Sequence, residues 1–492
     1  MKKQNPILCI ALAASLLILA LSNLVFPQNQ KRNSDPRRER IGGLLRAYAN
    51  LDQLSGAVLV AERGKILFRG AFGFSDRQLR VGAAPEHRFI IGSLTKAFTA
   101  VLTLQEVANG HLQLDAPAVR YWPEFPDPSG GAITVRQLLT HRSGLKHWGA
   151  VKDFLDVGAR LRHDPAEIVA LYAAQGLSFS PGAKEEYSSI GYMVLGILLE
   201  KVTKKSYGSL LQERIFQPLG MRSSSLDDHV TIVPGRARAY RYNFLKAGYE
   251  NAEYRDPSTT YSTGGILSTV DDMLRWDQAL NTTTLLPDSL RALIFDRDKG
   301  DADYGWHIQN VAPGVRAFWH VGLESGFRSQ IVRVPARGQT VIILGNLRDL
   351  DTDGISQRIL TLLNGGEPEM PKRSLLKAIL EAAAASGGDS AVTKFRAILR
   401  EPRGYDTRET QALVAAIELR SDGACDRAAP IYEAWLQTYP ASRYQATALV
   451  GAADCRLTLS DWERARAHIE RLAQVEPNNA SLGDLRRRLA NH

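Results

Sequence analysis

The sequence predicts an α+β fold: an antiparallel sheet flanked by helices, with a helical subdomain, followed by an all-α repeat-like domain. Three observations predict it. Short runs rich in apolar and β-branched residues stand near the start of the chain and again late, around residues 315–344. The stretch between them carries helical periodicity. Near Gly365-Gly366 the composition changes, and from Lys372 onward the chain is helical and rich in Ala, Arg and Glu. Strands that bracket a helical middle assemble one sheet from both ends of a domain.

The elements follow in order. Lys2 and Lys3 precede an apolar run from Ile7 to Phe26, broken by small polar residues such as Ser15 and Ser22. A positive start before an apolar stretch is the layout of a secretory signal, and the run is also nearly long enough to anchor in a bilayer. Residues 1–27 therefore read as a signal peptide or membrane anchor. Either way the bulk of the chain is exported, periplasmic or anchored in the inner membrane facing the periplasm. Residues 28–40 are polar and basic and read as a linker. From Ile41 the pattern turns helical, with Leu44, Leu45 and Tyr48 on one face. GAVLVA at 56–61, the turn Glu62-Arg63-Gly64-Lys65 and the run 66–73 make a hairpin. A helix is predicted over 93–109 with Gly110 as its stop, a short one after the N-cap Thr134, a third over 189–203, and a fourth opened by Thr269 that carries Trp276. Strands are predicted at 315–320, 329–334 and 340–344.

Residues 366–371, with Pro368 and Pro371, form a linker to the helical domain 372–492. There, segments 424–439 and 461–475 look alike: each is amphipathic, contains a Trp and ends before a Pro. Their offset is close to the roughly 34-residue period of tetratricopeptide-like repeats, which such a chain uses to bind a protein partner. In an antiparallel stack of this kind, Cys425 at the start of one helix and Cys455 near the end of the next reach the same level. A disulfide between them is predicted.

Composition bounds the function. Of 492 residues 44% are hydrophobic and 23% charged, which excludes a mainly disordered chain. The formal net charge is +9, but the basic residues are scattered and no motif interleaves them with aromatics, so nucleic-acid binding is excluded. His141 and His147 lack a third ligand at metal spacing; His141 is expected to hydrogen-bond backbone near the site. No metal or other cofactor is implied, and membrane contact is expected only through the N-terminal segment.

The chemistry centres on Gly92-Ser93-Leu94-Thr95-Lys96. A serine and a lysine three apart on a helix share a face, so Lys96 reaches the Ser93 hydroxyl, which needs a base to become a nucleophile. Tyr187, in Glu186-Tyr187-Ser188-Ser189, stands in a polar turn before a helix as an acid/base group whose pKa a nearby lysine ammonium would lower. In Trp319-His320-Val321-Gly322-Leu323-Glu324-Ser325-Gly326-Phe327, His320 ends a strand and Gly322 lets another group approach the backbone closely.

Together with the runs VRQLLTHRSGL (135–145), FQPLGM (216–221) and GGILST (264–269) ahead of Asp272-Met273, these segments resemble the β-lactamase-related serine hydrolases. The resemblance is to the class C β-lactamase-like group, with its D,D-peptidases, D-aminopeptidases and esterases, and spans the domain 41–365. It implies the β-lactamase/transpeptidase-like fold, with Ser93 acylated and Lys96 and Tyr187 handling the proton, Tyr187 as general base. It also implies an oxyanion hole from the N–H groups of Ser93 and Leu323 beside Gly322, and a His320 that binds a carboxylate or orients Tyr187. The family's Tyr-x-Asn motif here ends in Ser189, which offers one donor instead of two and reads a substrate amide less well. The resemblance thus implies an acyl-enzyme on D-amino-acid peptides, small esters or β-lactams of the cell envelope, peptidoglycan-type substrates included. A non-catalytic penicillin-binding-like scaffold, working through its C-terminal repeats, is the alternative.

Overall fold

A computed structural model describes residues 35–243, 246–296 and 303–491. The expected leader, residues 1–27 with Cys9, and residues 28–34 of the expected linker lie outside the described residues.

Helix α1, Pro36–Asn50, starts inside the stretch expected to be linker. Asp35 accepts the Arg37 N–H at 2.9 Å and Pro36 occupies the first helical position, a start that combines an Asx cap with a preset φ. Its first turn is charged and largely exposed, so it carries no apolar period to read. Strand β1, Gly56–Glu62, and β2, Lys65–Phe72, form the expected hairpin. The two turn residues, Arg63 and Gly64, both have positive φ, which matches the twist of the strands they join.

Helix α2 runs from Thr95 to Ala108 and is preceded by a single 3₁₀ turn, Gly92–Leu94. Ser93 thus lies in that turn and not in the helix proper. The predicted short helix is Val135–Leu139, closed by a reciprocal capping box between Thr134 and Gln137. Helix α3 spans Ser189–Thr203, α4 spans Tyr261–Gly264, and α5, Val270–Ala279, is capped by Thr269. Strands β3 (His307–Ala312), β4 (Val315–Glu324), β5 (Phe327–Val334) and β6 (Gln339–Gly345) complete a six-stranded sheet of order β3-β4-β5-β6-β1-β2. All its pairings are antiparallel, and β1 meets β6 in the register Gly56 to Gly345. Strand β3 was not expected. It is an edge strand with no alternating apolar face, because only one of its sides is paired and much of it faces solvent.

Helix α6, Thr352–Leu363, packs with α1 on one face of the sheet, where Ile41, Leu45, Ile355 and Ile359 meet Val58, Val60, Val341 and Ile343. The alternate residues of the same strands, Ala57, Leu59, Ile342 and Leu344, enter the larger core on the other face. Phe98 of α2 stacks there on Trp276 of α5 with ring centroids 3.9 Å apart. Period-2 alternation thus serves two cores from one sheet.

After residue 371 the chain forms α7 (Leu375–Arg400), whose backbone leaves the helical region at Ser386 and Gly387. Then come α8 (Glu409–Ser421), α9 (Cys425–Thr438), α10 (Gln445–Thr458), α11 (Trp462–Val475) and α12 (Leu482–Ala490). Their buried residues make a core of their own, from Leu375 to Leu485. Cys425 and Cys455 are joined in a disulfide between α9 and α10. The β-lactamase/transpeptidase-like sheet and helices, with an all-helical region after them, match the predicted fold class.

Candidate active site

The site forms where the 3₁₀ turn before α2 presses backbone to backbone against the end of β4. Two glycines permit that contact. Gly92 has φ 55°, and a Cβ there would lie 2.7 Å from the Leu323 nitrogen. A Cβ on Gly322 would lie 1.9 Å from the Ile91 carbonyl oxygen and 3.2 Å from the Ser93 nitrogen. The junction therefore sets the backbone nitrogens of Ser93 and Leu323 side by side, next to the Ser93 hydroxyl.

Lys96 is fully buried on the first turn of α2. Its Nζ donates to Ser93 Oγ at 3.0 Å and to the Thr263 carbonyl of α4 at 2.9 Å. Burial lowers its pKa from the ordinary lysine value to about 7, against a smaller upward pull from the Glu324 carboxylate. Near neutral pH a substantial fraction of the amine is therefore uncharged and free to accept a proton.

Tyr187 precedes α3, with its ring face 5.0 Å from Lys96 Nζ. Its phenol hydrogen-bonds Ser93 and Ser189, which favour the phenolate, yet burial outweighs both and raises its pKa well above the usual value. The shift runs opposite to the lowering expected from a lysine ammonium, because burial dominates. Tyr187 stays protonated, and Lys96 is the stronger candidate base.

Three histidines wall the pair. His141, with φ 52°, accepts the Ser188 N–H on Nδ1 at 3.1 Å, and its ring centroid lies 4.5 Å from that of Tyr187. His147 accepts the Ser189 N–H at 3.1 Å. These bonds fix the turn that carries Tyr187, the backbone role expected of His141. His320 lies on β4 with its ring centroid 6.2 Å from Tyr187, and its Nδ1 contacts the Val321 carbonyl at 2.7 Å. Only N–H can be offered to a carbonyl, so Nε2 holds the lone pair. Burial lowers the His320 pKa to about 3 and that of His147 to about 4. A neutral imidazole beside Tyr187 is placed to orient it, one of the two roles expected of His320. Ser189 is buried at the start of α3 with its hydroxyl on Tyr187.

Sequence reasoning missed two partners. Thr263 holds Lys96 through its carbonyl, and its only signal was the adjacent Gly264-Gly265. Glu324 was in view within the His320 segment, but its partner Arg255 is 69 residues away in sequence, 3.4 Å off in space.

Known proteins share this framework. A family model described as Beta-lactamase matches residues 44–365. The chain is 26% identical over 369 residues to penicillin-binding protein 4* of Bacillus subtilis (strain 168), covering 68% of this chain and 78% of that protein. It is 34% identical over 270 residues to esterase EstB of Burkholderia gladioli, covering 48% of this chain and 69% of that one. In fold it resembles the crystal structure of D-amino acid amidase from Ochrobactrum anthropi SV3 complexed with D-phenylalanine, with TM-score 0.59 and 23% identity, over 67% of this chain and 99% of that one. With a family model aligned over most of its length and a serine and a buried lysine in hydrogen-bond contact, this chain belongs to the beta-lactamase family of serine hydrolases.

Proposed function

We propose that the protein is a serine acyl hydrolase of the cell envelope that acts on small esters and D-amino-acid peptides or amides through an acyl-enzyme on Ser93. The observation that carries the reading is the 3.0 Å bond between Ser93 Oγ and a buried Lys96 amine whose pKa is about 7. Uncharged Lys96 takes the Ser93 proton as Oγ adds to the substrate carbonyl. The developing oxyanion meets the N–H groups of Ser93 and Leu323, preorganised by the Gly92–Gly322 contact. Tyr187, protonated and bonded to Ser93, passes a proton to the leaving group and regains one from Lys96. Water then attacks the acyl-enzyme, with Lys96 again as base, and Ser93 is restored.

Substrate class follows from position 189. With its hydroxyl spent on Tyr187, Ser189 does not reward an amide side chain on the substrate, so β-lactams are the weakest of the three substrate types. The esterase among similar proteins supports activity on esters. Export is supported by the Lys2-Lys3 start and apolar run, and by a disulfide suited to an oxidising compartment. The helical region 372–492 is assigned to a protein partner.

A fluorophosphonate probe tests the nucleophile. Labelling of the wild type and none of Ser93→Ala is expected; equal labelling of both refutes it. A panel of p-nitrophenyl esters, a D-Ala-D-Ala peptide and nitrocefin tests the substrate order, and turnover fastest on nitrocefin overturns it.

A further inference from the structure

Lys96 is surrounded largely by aromatic and imidazole rings. The rings of Tyr187 and Tyr192 lie 5.0 and 5.9 Å from its Nζ. His141, His147 and His320 all have depressed pKa values, with the Lys96 charge contributing to each. His307 sits behind His320 at 5.1 Å between ring centroids. The hydrogen-bond partners of Lys96 Nζ are Ser93 Oγ and the Thr263 carbonyl. Among these rings, Glu324 is the carboxylate whose charge bears on the amine.

Its placement is specific. Residues 320, 322 and 324 share one face of β4, so the face that supplies His320 and the Gly322 contact also supplies Glu324. A Cβ on Gly264 would lie 3.8 Å from Glu324 Oε2 and 3.7 Å from the Gly92 carbonyl carbon. Gly264 directly follows Thr263, whose carbonyl holds Lys96. The carboxylate thus stands across one glycine from the base and the nucleophile turn. Arg255 Nη1 and Ser325 Oγ hold its Oε1 at 3.4 and 3.2 Å. Glu324 and Arg255 together line a cavity of about 610 Å³. The Glu324 side chain is 12% exposed and Arg255 30%. A carboxylate left this dry is costly: burial raises the Glu324 pKa, and Arg255, Ser325 and the Lys96 charge pull it back toward the ionised form.

We propose that Glu324 is a positioning residue for acylation: held by Arg255 at the cavity wall, its carboxylate sets the pH at which Lys96 becomes free to take the Ser93 proton. This rests on Ser93 as nucleophile and Lys96 as base. The sign is direct. A nearby negative charge favours the protonated amine, so removing it releases the Lys96 proton at lower pH and extends activity toward acid.

The test is the pH profile of kcat/KM for p-nitrophenyl butyrate hydrolysis by the full chain, compared among wild type, Glu324→Gln and Glu324→Asp. The acid limb is expected to move down by about one pH unit in E324Q, and by less in E324D, whose shorter carboxylate stays near but retreats. A uniform loss at every pH with the limb in place means a structural role only and overturns the proposal, as does an upward shift. If E324Q fails to fold by circular dichroism, wild type against E324D decides on the same criterion. Wild type that neither hydrolyses the ester nor is labelled at Ser93 refutes the nucleophile itself; Ser93-dependent activity with an unmoved limb refutes Glu324 alone.

Discussion

The backbone contact between Gly92 and Gly322 makes a sharp prediction for Gly322→Ala. The new methyl would lie 1.9 Å from the Ile91 carbonyl oxygen, a backbone atom with no rotamer to escape into. Restoring even the closest carbon–oxygen separations seen in folded proteins pushes the turn and β4 apart by about 1 Å. The Ser93 and Leu323 nitrogens belong to the two halves being separated, so the oxyanion site opens by the same amount. Losing one donor of such a site costs about 10²–10³ in rate, or ~2.7–4 kcal/mol of barrier, and a 1 Å misplacement alone costs about 10²-fold. We expect kcat/KM for p-nitrophenyl butyrate to fall by about 10²–10³, mostly in kcat, with the circular dichroism spectrum unchanged. Gly82→Ala is the control: a Cβ there meets nothing within 4 Å, and its kinetics should match wild type. Folded Gly322→Ala within threefold of wild-type activity would refute the assignment of these two nitrogens.

Three further outcomes follow from the same structure. In wild type, kcat/KM should rise with pH through about 7 as Lys96 loses its proton; a profile flat from pH 5 to 9 would exclude Lys96 as the base. Asp277→Ala should lower stability by about 3–5 kcal/mol in urea titration, because it strands the buried Arg333 guanidinium 2.9 Å away and frees the Thr340 hydroxyl. A loss under 1 kcal/mol counts against that pair. Cys425→Ser together with Cys455→Ser should cost the helical region about 3–4 kcal/mol, since the bridge spans 30 residues, with ester hydrolysis at Ser93 unaffected; a melt of the helical region unmoved by the double change would sink this.

Much of the site was legible because it is built from local pattern. Ser93 and Lys96 are one helical turn apart, and Tyr187 and His320 sit inside short distinctive runs. What escaped was long-range or environmental. The Glu324–Arg255 pair joins residues 69 apart, beyond any local periodicity. The proton balance of the site depends on burial, which raises the Tyr187 phenol pKa and lowers that of Lys96 to about 7. Among the elements, the hairpin Gly56–Phe72 announced itself through apolar runs flanking a Gly turn. The edge strand His307–Ala312 did not, since one wet side erases alternation. The charged first turn of α1 looked like linker for the same reason.

The helical region meets the rest of the chain along a seam of polar links. Lys377 reaches Asp52, Tyr242 bonds Glu381, and the Gln53 amide caps the Lys372 carbonyl. Residues from both sides line a cavity of about 690 Å³ there, and the apolar clusters on either side share no member. Such a join is fastened largely by polar and charged links, which salt screens, between two cores that pack separately. Evolution could therefore have added, exchanged or shed the C-terminal helices without rebuilding the hydrolase beneath them.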